Sequence, residues 1–481
     1  MAEDFPTTWG KFSLIYDLVA RLPPGSEAAT RDVAEAYRTI PLHPSQWPAS
    51  VIKISETMGC IDTNLAFGST PAAGAYGHMA DACCEIFRSH GIGPVNKWVD
   101  DHIFFRVRMQ YLNDYNNSRR SWHQDILAHT PRPLLSGGRL WHQGRRRSDS
   151  SSDEFNENCS HPLKDFSNHS PRPQFDSFFS YSLCDIDAIS RPLGIPWEPS
   201  KDQPFGPSTI YIGFEWNLQA MTVSLSSSKV TKYLKAIACW HQRSSHVLQD
   251  VQSLYGKLLH TCAVIPRGRA YLTGLEHMIK VCTPKPFLPH RPEKTIANDL
   301  NWWHHILSSN LATRPISSPP NYVNISAFSD ASSPFGIGIV IGTRWRAWRL
   351  HPHWQSLGGK PDISWAEAVG FKFLIYTIAT IKSPHSAFIA FGDNMGIVEG
   401  WLNHCHRNPP ANEVFKRIHQ FMHSLPRVFH ICTKYVPSES NLADGPSWGI
   451  LGHPNALLPD IPTPEPIHHL VEDAIPHRTP P

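Results

Sequence analysis

At 481 residues, with 41% hydrophobic residues and 16 Trp, the chain is too long for one ordinary core and reads as two to four globular domains. The net charge of +3 excludes a polycation as a whole, and ten Cys without CxxC pairs or regular spacing fit reduced thiols rather than a disulfide framework. No apolar run reaches membrane-spanning length, and the start, MAEDFPTTWG, lacks the basic and apolar parts of a signal peptide; the expectation is a cytoplasmic and/or nuclear protein, not secreted and without a membrane partner.

Residues 1–105 alternate short apolar runs with turn signals and read as mixed α/β. In RDVAEAYRTIPLHP (31–44), Asp32 is followed five residues later by Tyr37. AFGSTPAAGAYG (66–77) is a cluster of small residues entering a helix, and Gly68 and Ala72 would let a ligand approach the backbone closely. KWVDDHIF (97–104) sets Asp100 and Asp101 inside an apolar run. The pair reads either as an exposed hairpin turn or as a tight hairpin holding a divalent cation, since hard cations take oxygen ligands from one or two carboxylates and from phosphates. Asp32 on one strand with Asp100 in a hairpin beside it would supply the converging carboxylates that two-metal chemistry requires.

Residues 106–180 (RRRSDSSSDEFNEN and its surroundings) are rich in Ser, Asn, Asp and Arg and read as a polar insertion, partly disordered; Arg145–Arg147 suit a solvated loop or a localisation patch. Over 181–225 a helix-like segment, SLCDIDAISRPLG, precedes a loop with Lys201, and then TIYIGFEWN and MTVSL read as two strands of a hairpin. Residues 226–292 read as a helical segment, with eleven Lys/Arg against three acids between Lys229 and Lys294; that excess suits a polyanion or a plain solvated face. Residues 293–320 read as a linker with a helix, and 453–481 as an extended Pro-rich tail. His404-Cys405-His406 has no second cluster to pair with and reads as structural.

In 321–452 the expected order is strand, strand, strand, helix, strand, helix, strand, helix. Four acids fall on it: Asp330 at a strand, Glu367 in ISWAEAVGF, Asp393 after FIAFG, and Asp444 in NLADGPSWG. Each has a bland reading. Ser364-x-x-Glu367 matches a capping box, Asp393 a helix N-cap, and Asp444-Gly445 a turn. Jointly, the order D, E, D, D on strand, helix, strand end and helix start is hard to assign to chance.

The order of segments resembles that of reverse transcriptases. DVAEAYRTIPL looks like the first palm motif, FGSTPAA like the second, and WVDD like the YxDD box with Trp98 in place of Tyr, while YIGFEW resembles the element that grips the primer. The four later acids resemble the carboxylate set of an RNase H. The wording of several segments looks most like fungal retrotransposons of the tyrosine-recombinase (DIRS) type.

The resemblance implies a multidomain α+β / α/β chain: a polymerase palm with fingers largely missing, a helical thumb or connection, and an RNase H-like domain. It implies that Asp32 and Asp100 ligate metal with Asp101 a less essential partner, that Tyr37 is the steric gate against a 2′-hydroxyl, and that Gly68, Ala72 and Lys201 lie along the substrate. Arg267 and Arg269 would meet the phosphates. Asp330, Glu367, Asp393 and Asp444 would hold the metal for hydrolysis of the RNA strand. The implied cofactors are two Mg²⁺ (or Mn²⁺) ions per active site. The implied partners are an RNA template, a DNA primer, the RNA/DNA hybrid and deoxynucleoside triphosphates. Two departures stand out: only 31 residues precede Asp32, which points to an incomplete polymerase, and VPSESNLAD has no His where many cellular RNases H carry one. The alternative is a non-catalytic scaffold or relic retaining both folds, against which all the expected acids are present.

Overall fold

The computed structural model describes residues 7, 9–69, 71–129, 133–136, 139–146, 152–154, 159–169, 172–309, 311–356, 362–381, 383, 385–461 and 467–475. The chain is mixed α/β and divides into two compact units, the first built mainly from residues before Val230 together with Thr313–Ser318, the second from Val230–Ala312 and Pro319 onward.

The first unit opens with α1 (Phe12–Ala20) and β1 (Glu27–Asp32), followed by the small hairpin β2 (Val51–Lys53) and β3 (Gly59–Ile61). Next come α2 (Ala72–His90), β4 (Val95–Trp98), β5 (Asp101–Arg106) and α3 (Leu112–His129). Strands β6 (Pro133–Ser136), β7 (Arg139–Arg146) and β8 (Ser152–Glu154) form a separate sheet, and the side chains of Arg145–Arg147 lie outside the described residues. Helix α4 (Leu183–Ser190) and strands β9 (Gln203–Gly206), β10 (Ser208–Tyr211), β11 (Phe214–Asn217), β12 (Thr222–Leu225) and β13 (Thr313–Pro315) complete the unit.

Its central sheet has the order β4-β5-β1-β9, with β1 antiparallel to β5 and Asp32 directly opposite Asp101. A second sheet runs β10-β11-β12-β13. TIYIGFEWN is therefore itself a hairpin turning at Ile212-Gly213, not one strand of a pair. The polar composition of 106–180 hid an 18-residue helix, α3, whose Leu112, Tyr115 and Arg119 are buried. Beyond it, Leu163, Phe166 and Tyr181 pack into the core; a few well-placed apolar side chains are enough to anchor a segment that is polar on average.

In the second unit α5 (Ser227–His241), α6 (Leu248–Thr261), α7 (Thr273–Cys282) and α8 (Lys294–Ser308) precede β14 (Val323–Ala331), β15 (Gly336–Ile341) and β16 (Arg344–Leu350). Then follow α9 (Ile363–Thr380), β17 (Ala387–Gly392), α10 (Met395–Leu402), α11 (Pro409–Ser424), β18 (His430–Tyr435), α12 (Asp444–Ser447) and β19 (Val471–Asp473). The sheet order is β18-β17-β14-β15-β16-β19, parallel for β14–β17–β18 and antiparallel elsewhere. Two helices, not one, connect β17 to β18.

Helix α9 is apolar on nearly every side, as a helix enclosed by other elements must be. Trp365, Val369, Phe371, Phe373, Leu374 and Ile375 are all buried, each burial of this kind contributing about 1.5–3 kcal/mol. Two expectations are sharpened here. The helix expected within 293–320 is α8, and it does more than link: its Leu300 and Trp303 are buried, and Asp299 pairs with Lys416 of α11 at 2.6 Å. The Pro-rich tail is not merely extended either: β19 adds to the sheet edge, Ile461, Ile467 and Leu470 are buried, and Arg346 bridges Asp460 at 2.8 Å and Asp473. A few apolar residues between prolines gave the tail a face to bury.

Candidate functional site

Each unit carries a cluster of acids. In the first, β1 ends at Asp32 and the two-residue turn Val99-Asp100 joins β4 to β5, so Asp32, Asp100 and Asp101 meet at one end of the sheet. Val99 sits at φ 55°, a left-handed conformation that costs a β-branched residue roughly 1–3 kcal/mol. The turn is braced from below by His102, whose Nδ1–H donates to the Asp100 carbonyl at 3.0 Å. Burial pushes that imidazole down to about 4, so it is neutral.

Asp32 is buried; its Oδ2 accepts from Lys201 Nζ at 2.6 Å, while its Oδ1 has no hydrogen-bond partner. Burial, then Asp100 and Asp32, push the Asp101 carboxyl up to about 6, and burial and Asp32 raise Asp100 as well. An orphaned buried carboxylate oxygen beside two acids that resist ionisation suits a divalent cation.

Tyr37 lies half-buried in the 3₁₀ turn after Asp32, with Phe67 at 4.8 Å and Tyr76 at 6.1 Å between ring centroids. Burial and then Asp100 raise its phenol. Gly68 is exposed with open space over its Cα, whereas Ala72 is buried at the first position of α2. Arg267 and Arg269 belong to the second unit, in the 3₁₀ helix Pro266–Tyr271; Arg267 is 3.4 Å from His423 Nε2, and Arg269 is exposed.

In the second unit, Asp330, Glu367 and Asp393 offer ligand oxygens within 4.8 Å of one another, the only such group of three among the described residues. They arrive from β14, α9 and the end of β17. The bland readings of two of them do not apply. Helix α9 is capped by Asp362, whose side chain accepts from Trp365 N, and α10 by Asn394, which accepts from Ile397 N. Glu367 and Asp393 are free of both tasks. Asp444 is exposed at the first residue of α12, close enough to raise Asp330 but outside the group of three.

Neutral donors hold the carboxylates. Ser447 Oγ donates to Asp330 Oδ2, and Ser438 Oγ to Asp393 Oδ2. Asn441 Nδ2 bridges Asp330 Oδ1 at 3.3 Å and Asp393 Oδ1 at 3.1 Å. Asn394 and the Ala331 N–H bond Glu367. Sequence reasoning missed Ser438, Asn441, Ser447 and Asn394, all within six residues of the predicted acids. The IGIG repeat was a further signal: a Cβ on Gly338, opposite Asp330 in the ladder, would lie 2.6 Å from Ala443 O and Ser447 N, so only glycine lets this segment close onto the sheet.

Among the described residues no Lys or Arg forms an ion pair with Asp330, Glu367 or Asp393. Burial, then the neighbouring acids, push Asp330 up to about 6 and Glu367 well above the usual carboxylate range. Three oxygens that cannot all ionise comfortably, gathered with oxygen ligands only, form a donor set for a hard divalent ion. No helix among the described residues is long and apolar enough to cross a membrane.

No protein-family model matches the sequence, and no curated protein matches it. Solved structures do. The chain is similar to the foamy viral protease-reverse transcriptase in complex with RNA/DNA hybrid, at 12% identity and a TM-score of 0.38, over 90% of this chain and 46% of that one. It is similar at 12% identity to the dRH form in complex with double-stranded DNA (TM-score 0.37, 90% and 60%) and to the protease-reverse transcriptase with double-stranded DNA (TM-score 0.38, 90% and 71%). The chain thus spans about half the length of the first of these proteins.

Proposed function

We propose that the second unit is a metal-dependent ribonuclease H that cleaves the RNA strand of RNA/DNA hybrids, and that the first is the palm of an RNA-directed DNA polymerase. One observation carries the reading: Asp330, Glu367 and Asp393, distant in sequence, converge within 4.8 Å, from the strand, helix and strand end that the carboxylate set of an RNase H would occupy. Asp330, Glu367 and Asp393 would hold Mg²⁺ or Mn²⁺, with Asp444 at the rim. The ions would supply a clamp for the attacking and leaving oxygens of the phosphodiester. The chain's own groups orient the carboxylates. Ser447, Ser438 and Asn441 aim the oxygens of Asp330 and Asp393 inward, and the buried wall of α9 keeps water from Glu367.

For the first unit the support is thinner in ligands but similar in kind. Asp32 faces Asp101 across the ladder, and Lys201 occupies the place beside Asp32 where a cation would sit. Tyr37, between Phe67 and Tyr76, would test the sugar of an incoming deoxynucleoside triphosphate, and the template and primer would lie across the sheet end.

Purified chain with Mg²⁺ or Mn²⁺ is expected to shorten the RNA of a labelled RNA/DNA hybrid, and Asp393→Asn to lower the rate by about 10³-fold or more, since a metal clamp supplies several kcal/mol. Equal inertness of wild type and variant would reject the hydrolase reading and leave a binding scaffold.

A further inference from the structure

The loop that carries Asp444 is closed by its own backbone hydrogen bonds and ends in an exposed indole. Trp448 N donates to the Asp444 carbonyl at 3.1 Å, Gly449 N to Pro446 O at 3.2 Å and Ile450 N to Gly445 O at 2.9 Å. Gly449 takes φ 84° and lies against Phe335, where a Cβ would come within 2.8 Å of the ring. Ser447, the residue before the indole, is buried on Asp330. Trp448 is 55% exposed and Ile450 73% exposed, one and three residues after the serine that bonds Asp330.

Three more exposed residues adjoin the group in chain or in ladder. Met395 follows Asn394, Tyr435 pairs with Gly392 just before Asp393, and Leu442 follows Asn441; all three are exposed. Single exposed apolar residues are ordinary, but several that directly follow the residues bonding the acids mark a candidate contact surface.

We infer that Trp448, with these exposed apolar residues, is the surface on which the sugars and bases of the RNA/DNA hybrid rest while a phosphate reaches the acids. The inference builds on the ribonuclease H reading. A strand that brings a phosphodiester to three carboxylates within 4.8 Å of one another passes close to the loop whose Ser447 bonds Asp330 and whose next residue is Trp448, and an indole face stacks on any base or sugar regardless of sequence. Trp448 is a positioning residue in this role.

The test uses the full chain and a fluorescein-labelled RNA/DNA hybrid, with binding read by anisotropy in Ca²⁺ and cleavage in Mg²⁺. Trp448→Ala is expected to weaken binding by roughly 5- to 100-fold, the range for loss of one base–aromatic stack. KM should rise with kcat little changed. The slope of log affinity against log salt should stay as in wild type, because no phosphate contact is lost, and Trp448→Phe should recover most of the affinity. Equal binding by wild type and Trp448→Ala overturns the inference and leaves the hydrolase reading standing. No binding and no cleavage by wild type overturns both. A dimer of the chain that Trp448→Ala dissolves while hybrid binding persists assigns this surface to self-association and overturns the inference.

Discussion

The two acidic clusters solve the same electrostatic problem differently. In the first unit a lysine stands against Asp32, an exposed cation that can swing away from a carboxylate on the sheet end. In the second, hydroxyls and an amide bond Asp330 and Asp393, and Glu367 is enclosed by the core. Neutral donors orient carboxylates without cancelling their charge, so the second cluster stores repulsion that only a proton or a divalent ion relieves. The first keeps a built-in counterion and an orphaned oxygen, Asp32 Oδ1. On the proposed reading, the second site would be organised before a metal arrives, whereas the first would have to exchange a side chain for it.

The comparison breaks most clearly on activity. Asp330→Ala is expected to abolish hybrid cleavage, by about 10³-fold or more, while Asp32→Ala leaves it unchanged. Parallel losses in a gel-based cleavage assay would show that the two clusters do not act separately.

A smaller effect concerns stability. The folded chain keeps the Asp330 proton up to about pH 6, whereas an unfolded chain releases it near 3.8. The folded state therefore binds more protons in that window, and stability falls as pH rises through it, by on the order of 2 kcal/mol. Glu367 extends the loss to higher pH, because its carboxyl is raised further. Thermal melts of the metal-free protein should show Glu367→Gln gaining on wild type as pH increases from 4 to 7, and Mg²⁺ should close the gap by stabilising wild type alone. A variant that is less stable than wild type at pH 7 without metal would contradict the stored repulsion.

The smallest expected change sharpens the role of the lysine. Lys201 holds down the carboxyl of Asp101, which stands at about 6 in its presence. In Lys201→Met that carboxyl should titrate higher, by a small amount given how exposed the lysine is, and Asp330 should not move. Carboxyl-resolved NMR titration reads both; an unchanged Asp101 would remove Lys201 from the site.

Much of the second cluster was legible because its acids sit on regular elements whose period shows in the sequence: β14, α9 and β17 each bring one to the same place. The holding groups were not legible. Ser438, Asn441 and Ser447 lie in a turn-rich stretch where Ser and Asn are common for many reasons, and only the closure over Gly338 gives them their task. Asp444 reads as a fourth ligand in the sequence yet stands apart from the other three in space. Composition misled where packing was sparse but decisive, as with α3 inside a polar stretch and β19 inside a Pro-rich tail.

By itself the sequence determined which residue types were available and on which elements they fell, because strand and helix periods are local properties of the chain. Which oxygens meet, which carboxylate keeps its proton and which tryptophan is left in water depended on the closing of the two sheets. Charge interactions and burial act between residues far apart in sequence, and they have no value until the fold sets their distances.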